Sequence, residues 1–184
     1  MKVSKDQVRE NRRRIVETAS ELFRERGFDG VGVAELMSAA GLTHGGFYKH
    51  FGSKADLMAE AMRCGFTRSA ESVAGSDRET FVKYYLSRQH RDGMGKGCVM
   101  SALSSDTARQ SAPIKASFAA GLEHQLAQLT GENGAESATR AGTIATLAQL
   151  VGAMVLSRAC PDDSPLADEI LAVCQARLLA QEPE

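Results

Sequence analysis

The sequence predicts an all-α protein. Apolar residues recur at i, i+3, i+4 and i+7 in segment after segment. Capping residues and glycines fall where those segments should start and stop. No stretch alternates apolar and polar residues as a strand would, and no internal repeat is visible.

Residues 9–26 carry Ile15, Val16, Ala19, Leu22 and Phe23 on one helical face, and Gly27 is a stop signal. Residues 33–40 repeat the pattern with Val33, Leu36, Met37 and Ala40 before Gly41 breaks it. Thr43 suits the cap of a third short helix, 43–50, anchored by Phe47 and Phe51. Ser53 with Asp56 resembles a capping box for a fourth, through Leu57, Ala61, Cys64 and Phe66. After a break at 74–77, Ser76 with Glu79 precedes Phe81, Tyr84, Tyr85 and Leu86. Residues 90–97, HRDGMGKG, read as a loop. Its glycines do not make a phosphate loop, since no strand precedes them and GxxxxGK[ST] is missing.

Residues 98–109 read as an apolar helix. Ser111 and Pro113 open another, through Ile114, Phe118, Leu122, Leu126 and Leu129. A polar loop, 130–136, leads to a helix over 137–159. The last helix opens at Pro165 and carries Leu166, Ile170, Leu171, Val173, Cys174 and Leu178.

Apolar residues are 43% and charged residues 24%, which places the chain among globular proteins rather than disordered ones. No run approaches the roughly 18 apolar residues of a membrane helix. The basic N-terminus lacks the apolar stretch of a signal peptide. A cytoplasmic protein without a membrane partner is expected. The four cysteines, Cys64, Cys98, Cys160 and Cys174, have no CxxC or metal-ligand spacing, so neither metal nor cofactor is expected. Residues 1–63 hold 11 Lys/Arg against 9 Asp/Glu, and the remainder 11 against 14. The positive excess sits in Lys2, Lys5, Arg9, Arg12, Arg13 and Arg14, a basic arm suited to a DNA-facing end.

Residues 41–57, GLTHGGFYKHFGSKADL, carry the functional signal. Two short helices joined at Gly41 fit a helix-turn-helix. The second is too polar for core. With Phe47 and Phe51 inward, it offers Thr43, His44, Gly45, Tyr48 and Lys49, groups that suit phosphates and base edges. Close approach to DNA and tight packing both account for Gly46; outward-facing Gly45 favours DNA.

Leu22-Phe23, Gly27-Phe28 and AELMSAAGLTHGGFYKHFGSKADL together resemble the N-terminal domain of the TetR family over about residues 12–62. The resemblance implies that Thr43, His44 and Gly45 face the major groove. Tyr48 and His50 contact or support phosphates, and Lys54 meets one at a helix N-terminus. One departure is Val31-Gly32, where many relatives have two hydroxyl residues. Gly32 then serves as cap, its amide facing phosphate.

The resemblance implies residues 1–62 as a DNA-binding domain and 63–184 as an effector-binding and dimerisation domain. The function expected is a repressor released from a palindromic operator in double-stranded DNA by a small molecule. Pocket candidates are Phe81, Tyr85, Cys98, Met100, Leu103, Phe118, Leu122 and Met154, which favour an apolar or aromatic effector. A homodimer is expected through Ile144, Leu147, Val151 and Met154, spaced like a coiled-coil seam, with Ile170, Val173, Cys174 and Leu178. An activator, or a redox or electrophile sensor using a cysteine such as Cys98, fits the same fold. An enzyme is disfavoured, since no nucleophile has a base at plausible spacing. A helical interaction module without DNA binding leaves the exposed THGGFYK face unexplained.

Overall fold

The computed structural model describes residues 4–72, 75–132 and 139–180, with 131 and 132 as backbone only. Among these residues the regular structure is helical throughout. The N-terminal part comprises α1 (Lys5–Arg26), α2 (Val33–Ala39), a 3₁₀ helix (His44–Lys49) and the start of α3 (Lys54–Glu71). There follow α4 (Arg78–Tyr85), α5 (Arg88–Asp92), a short 3₁₀ turn (Met94–Lys96), α6 (Val99–Ala108), α7 (Ala112–Glu132), α8 (Arg140–Ala159) and α9 (Pro165–Ala180).

Local chemistry sets several boundaries. Ser4, Ser53 and Thr139 each accept a hydrogen bond from the backbone N–H three residues on, as helix caps do. The cap of α4 is Asp77, whose carboxylate accepts from Thr80 N, rather than the expected Ser76. The segment read as a loop at 90–97 is largely helical. Ser87 caps α5 by accepting from His90 N, and Met94–Lys96 adds a 3₁₀ turn. The polar loop expected at 130–136 begins later, because α7 continues through Glu132; the rest of it lies outside the described residues.

Ile15, Ala19, Phe23, Phe28, Val31, Leu36, Met37, Phe47, Phe51 and Leu57 form the core of the N-terminal part, all nearly inaccessible. Val31 is fully buried, so its side chain faces the core. Gly41 has φ +67°, the left-handed conformation that turns α2 into the 3₁₀ helix at no steric cost. Gly27, at φ +74°, ends α1, and a Cβ there would lie 2.3 Å from an Asp106 carboxylate oxygen. That carboxylate instead accepts the Phe28 N–H at 2.9 Å, tying α6 to the end of α1.

α3 runs unbroken across residue 62, packing on α1 and then on α7. Gly65 permits the crossing: a Cβ there would meet Arg24 Nη1 at 2.4 Å and Val99 Cγ2 at 2.5 Å. α8 is long and apolar enough to cross a membrane by length and composition. Its larger apolar residues, Ile144, Leu147, Leu150, Val151, Met154, Val155 and Leu156, are interspersed with Ala, Gly, Thr and Gln, so no unbroken apolar run marks it in the sequence.

Candidate nucleic-acid interface and ligand cleft

The 3₁₀ helix presents the residues the sequence singles out. Thr43, His44, Gly45 and Lys49 are exposed, and Tyr48 is 72% exposed. Phe47 and Phe51 are buried and stacked, with ring centroids 5.6 Å apart, and Tyr48 packs edge-on to Phe47 at 5.2 Å. Gly45 has open space at its Cβ position, whereas that of Gly46 lies 3.6 Å from the Met37 methyl. Gly46 is therefore at packing distance, and Gly45 is the glycine free to approach DNA. Gly32 is exposed, sits extended before α2 and makes no side-chain cap.

Two expected phosphate residues behave differently. Lys54 turns its ammonium inward, donating to the Phe28 carbonyl at 2.6 Å and lying 5.9 Å from the Phe23 ring centroid. Its contact is internal, between the ends of α1 and α3. His50 is half-buried, and its Nδ1 is shut off from solvent without a partner. Burial, then the positive charges of Arg12 and Lys49, pushes the ring's pKa down, so it is neutral at pH 7. The basic arm is also partly spent. Arg9 pairs with Asp6, Arg13 with Glu10 and Glu17, and Arg12 with Glu60 while lying over the Phe51 ring.

A cleft of about 30 Å³ lies among α3, α4, the 90–98 segment, α6, α7 and α8. Phe81, Tyr85, Cys98 and Met100 line it as expected. Leu103 and Met154 do not; both are buried in the core away from its wall. Phe118 and Leu122 also lie off it, Phe118 packing edge-on to Phe66 at 5.5 Å. The sequence reading missed Phe66, Leu147 and the polar wall of Ser69, Ser72, His90, Lys96 and Gln125. The available signal was His90 and Lys96, polar residues just ahead of an apolar helix.

His90 joins the cleft to α6. Its Nε2 accepts the Cys98 N–H at 3.1 Å, so Nδ1 carries the proton and donates to the Tyr85 carbonyl at 2.7 Å. Burial lowers its pKa and keeps it neutral. The same segment is latched to the N-terminal part. Arg24 of α1, 4% exposed, gives Nε and Nη2 to the Gly95 carbonyl and Nη1 to the Ser20 hydroxyl at 2.8 Å. Gly95 immediately precedes the cleft residues Lys96, Gly97 and Cys98.

The expected dimer seam splits between two faces. Leu147, Met154 and Leu178 are buried inside the protomer and unavailable to a second copy. Val151, Ile170 and Cys174 are partly buried against the same core. Ile144 and Val173 are exposed, at 45% and 60%. They belong to an outer face with Ala148, Val155 and Leu156 of α8 and Leu166, Ala172 and Ala176 of α9.

An exposed recognition helix set by a glycine turn, on a part latched to a larger helical domain, defines a helix-turn-helix regulator. Residues 15–61 match the family model described as bacterial regulatory proteins, tetR family. The transcriptional repressor NemR of Escherichia coli is 28% identical over 140 residues, 70% of this chain and 70% of that protein. Residues 15–61 therefore match the DNA-binding domain of TetR-family regulators, and the chain as a whole is similar to a transcriptional repressor of that kind. The fold agrees over nearly the whole chain. The reduced form of E. coli NemR superposes with TM-score 0.71 at 21% identity, covering 92% of this chain and 95% of that one. A TetR-family regulator from Agrobacterium tumefaciens gives 0.74 at 20%, covering 94% and 97%. FadR from Bacillus subtilis, in complex with stearoyl-CoA, gives 0.59 at 14%, covering 91% and 97%.

Proposed function

We propose that this protein is a cytoplasmic homodimeric repressor that leaves a palindromic operator when a small molecule enters the cleft. The observation that carries the reading is the Arg24–Gly95 latch. It joins the residue just ahead of the cleft wall to α1, α1 packs on α2, and α2 carries the recognition helix, so a shift at residues 95–98 can pass to the DNA-binding face. The FadR complex with stearoyl-CoA supports a helical domain of this fold as a place for small molecules. A dimer presenting two recognition helices should bind half-sites centred about 34–36 Å apart, or a multiple of that. Fluorescence anisotropy on operator-length duplexes tests it; tight binding by a monomer to an asymmetric site refutes it. Residues 1–62 are assigned to DNA and the rest to ligand and dimer, with α3 shared between them.

Phosphate contacts are read from salt dependence. Lys49→Ala is expected to reduce the slope of log affinity against log salt by about 0.9, because one neutralised phosphate is lost. Lys54→Ala should leave the slope unchanged and instead lower stability by about 1–2 kcal/mol, through loss of its ammonium–carbonyl bond. Equal slope changes in both variants would return Lys54 to the DNA contacts.

A second reading, a thiol-based sensor, is favoured by one observation: Cys98 lines the cleft and is the N-cap of α6. The NemR neighbour, described as a reduced form, keeps this reading open. Cys98→Ser should retain release by a non-covalent ligand while losing any release by a thiol-reactive electrophile. Unchanged electrophile response in Cys98→Ser removes the sensor reading.

A further inference from the structure

Among its described lining residues the cleft has no acidic side chain; every polar group on its wall is neutral or positive. Tyr85 is 4% exposed, and its hydroxyl is closed to solvent without a hydrogen-bond partner. Its polar neighbours are the Cys98 thiol and the Ser101 hydroxyl, and the latter is already engaged by Arg158 and the Cys98 carbonyl. Burial raises its pKa well above the ordinary value, so it stays protonated and is a donor awaiting an acceptor. Buried hydroxyls left unpaired are uncommon in native cores and call for a reason.

The charges behind this hydroxyl are positive. Arg158 donates Nε to the Arg91 carbonyl at 2.9 Å, Nη2 to the His90 carbonyl at 2.8 Å and Nη1 to the Ser101 hydroxyl at 3.0 Å. All three acceptors are neutral, and among the described residues no carboxylate pairs with it. Its Nη2 lies 3.3 Å from where a Cβ of Gly97, a cleft residue, would sit. Lys96 adds an exposed ammonium at the rim. His90 has both ring nitrogens engaged and contributes no charge. A cationic ligand would face Arg158 and Lys96 with no carboxylate to receive it. A wholly apolar one would leave the Tyr85 hydroxyl unpaired.

We propose that the cleft takes a small amphipathic acid, its carboxylate received by the Tyr85 hydroxyl in the field of Arg158 and Lys96. Its apolar part lies against Phe66, Phe81 and Leu147. The present volume of about 30 Å³ is water-sized, so occupancy opens the wall formed by Phe81 and Tyr84. This assignment rests on the cleft being the effector site.

The test uses the full chain at neutral pH with benzoate, 3-phenylpropionate and octanoate, each against its primary amide, read by thermal shift and operator release. At least one acid should raise the melting temperature and release operator, with its amide about tenfold weaker or worse. Tyr85→Phe should weaken that acid about tenfold while leaving the unliganded protein as stable as the parent or more so. A purely structural tyrosine would do neither. Lys96→Met, a change at an exposed residue, should weaken the same acid several-fold. Amides that bind as well as acids, or a Tyr85→Phe protein that binds the acid like the parent, overturn the proposal. An amide that releases operator while its acid does not sinks the acidic class and keeps the effector site. Six compounds without effect sink both.

Discussion

Arg24→Met should lower stability by about 2 kcal/mol and break communication between cleft and DNA. Methionine keeps much of the side-chain bulk but leaves the buried Gly95 carbonyl without its donors and the Ser20 hydroxyl without its partner. Hydrogen bonds to a charged donor contribute about 1.5–3 kcal/mol each, partly offset here because burying the guanidinium is itself costly. Urea unfolding gives the stability. Communication is readable without knowing the effector, because linkage is reciprocal: if cleft occupancy changes DNA affinity, DNA changes the cleft. Cys98 is the reporter, a thiol 7% exposed on the cleft wall. Its labelling by a thiol reagent, followed by mass on its own peptide, should change when operator is added to the parent. In Arg24→Met that change should vanish although operator still binds. A variant that loses stability yet keeps the operator-dependent change would make Arg24 a structural arginine and place the coupling elsewhere, with the Asp106–Phe28 bond next in line.

The N-terminal part was legible because its information is local. Helical spacing set α1 and α2, Gly41 the turn, and Ser53 the start of α3. The exposed residues of the recognition helix follow from Phe47 and Phe51 being its only large apolar anchors. What escaped depends on chain segments far apart in sequence. Arg24, Arg91 and Arg158 look like surface charges, yet each is tied to main-chain carbonyls that only the tertiary fold brings near: Gly95, Ser157 with Cys160, and His90 with Arg91. The cleft likewise draws on residues from 66 to 147, and apolar periodicity could find its Phe and Met but not Ser69, Lys96 or Gln125. The dimer seam went astray for a different reason. In α8 both faces are apolar, one large-residued and buried, the other richer in small residues and exposed. Periodicity therefore selects no single side, and the stripe from Ile144 to Met154 mixes the two.

That outer face makes a sharp expected result: Val155→Glu combined with Val173→Glu should yield a folded monomer that no longer holds its operator. Only 28% of the most apolar stretch of α8 is buried in the protomer, and the opposite side carries Ile144, Ala148, Val155 and Leu156 toward solvent. α9 adds Leu166, Ala172, Val173 and Ala176. Small residues let helix axes approach closely, and the same patch on a second copy about a two-fold axis buries both. Glutamates placed there would be desolvated and set against their own copies if the dimer formed, while costing the isolated protomer little, since Val155 and Val173 are already 37% and 60% exposed. Removing α9 altogether would be a poorer experiment, because Ala167, Leu171 and Leu178 are buried in the protomer and the truncation would unmake its core. Sedimentation should move from twice the chain mass to 19.7 kDa with the circular dichroism unchanged. Operator affinity should fall roughly 100- to 10,000-fold, the gain normally supplied by tethering the second recognition helix beside its half-site. A double variant that still sediments as a dimer would move the interface off α8 and α9. One that is monomeric yet binds the full operator as the parent does would show that each recognition helix acts alone.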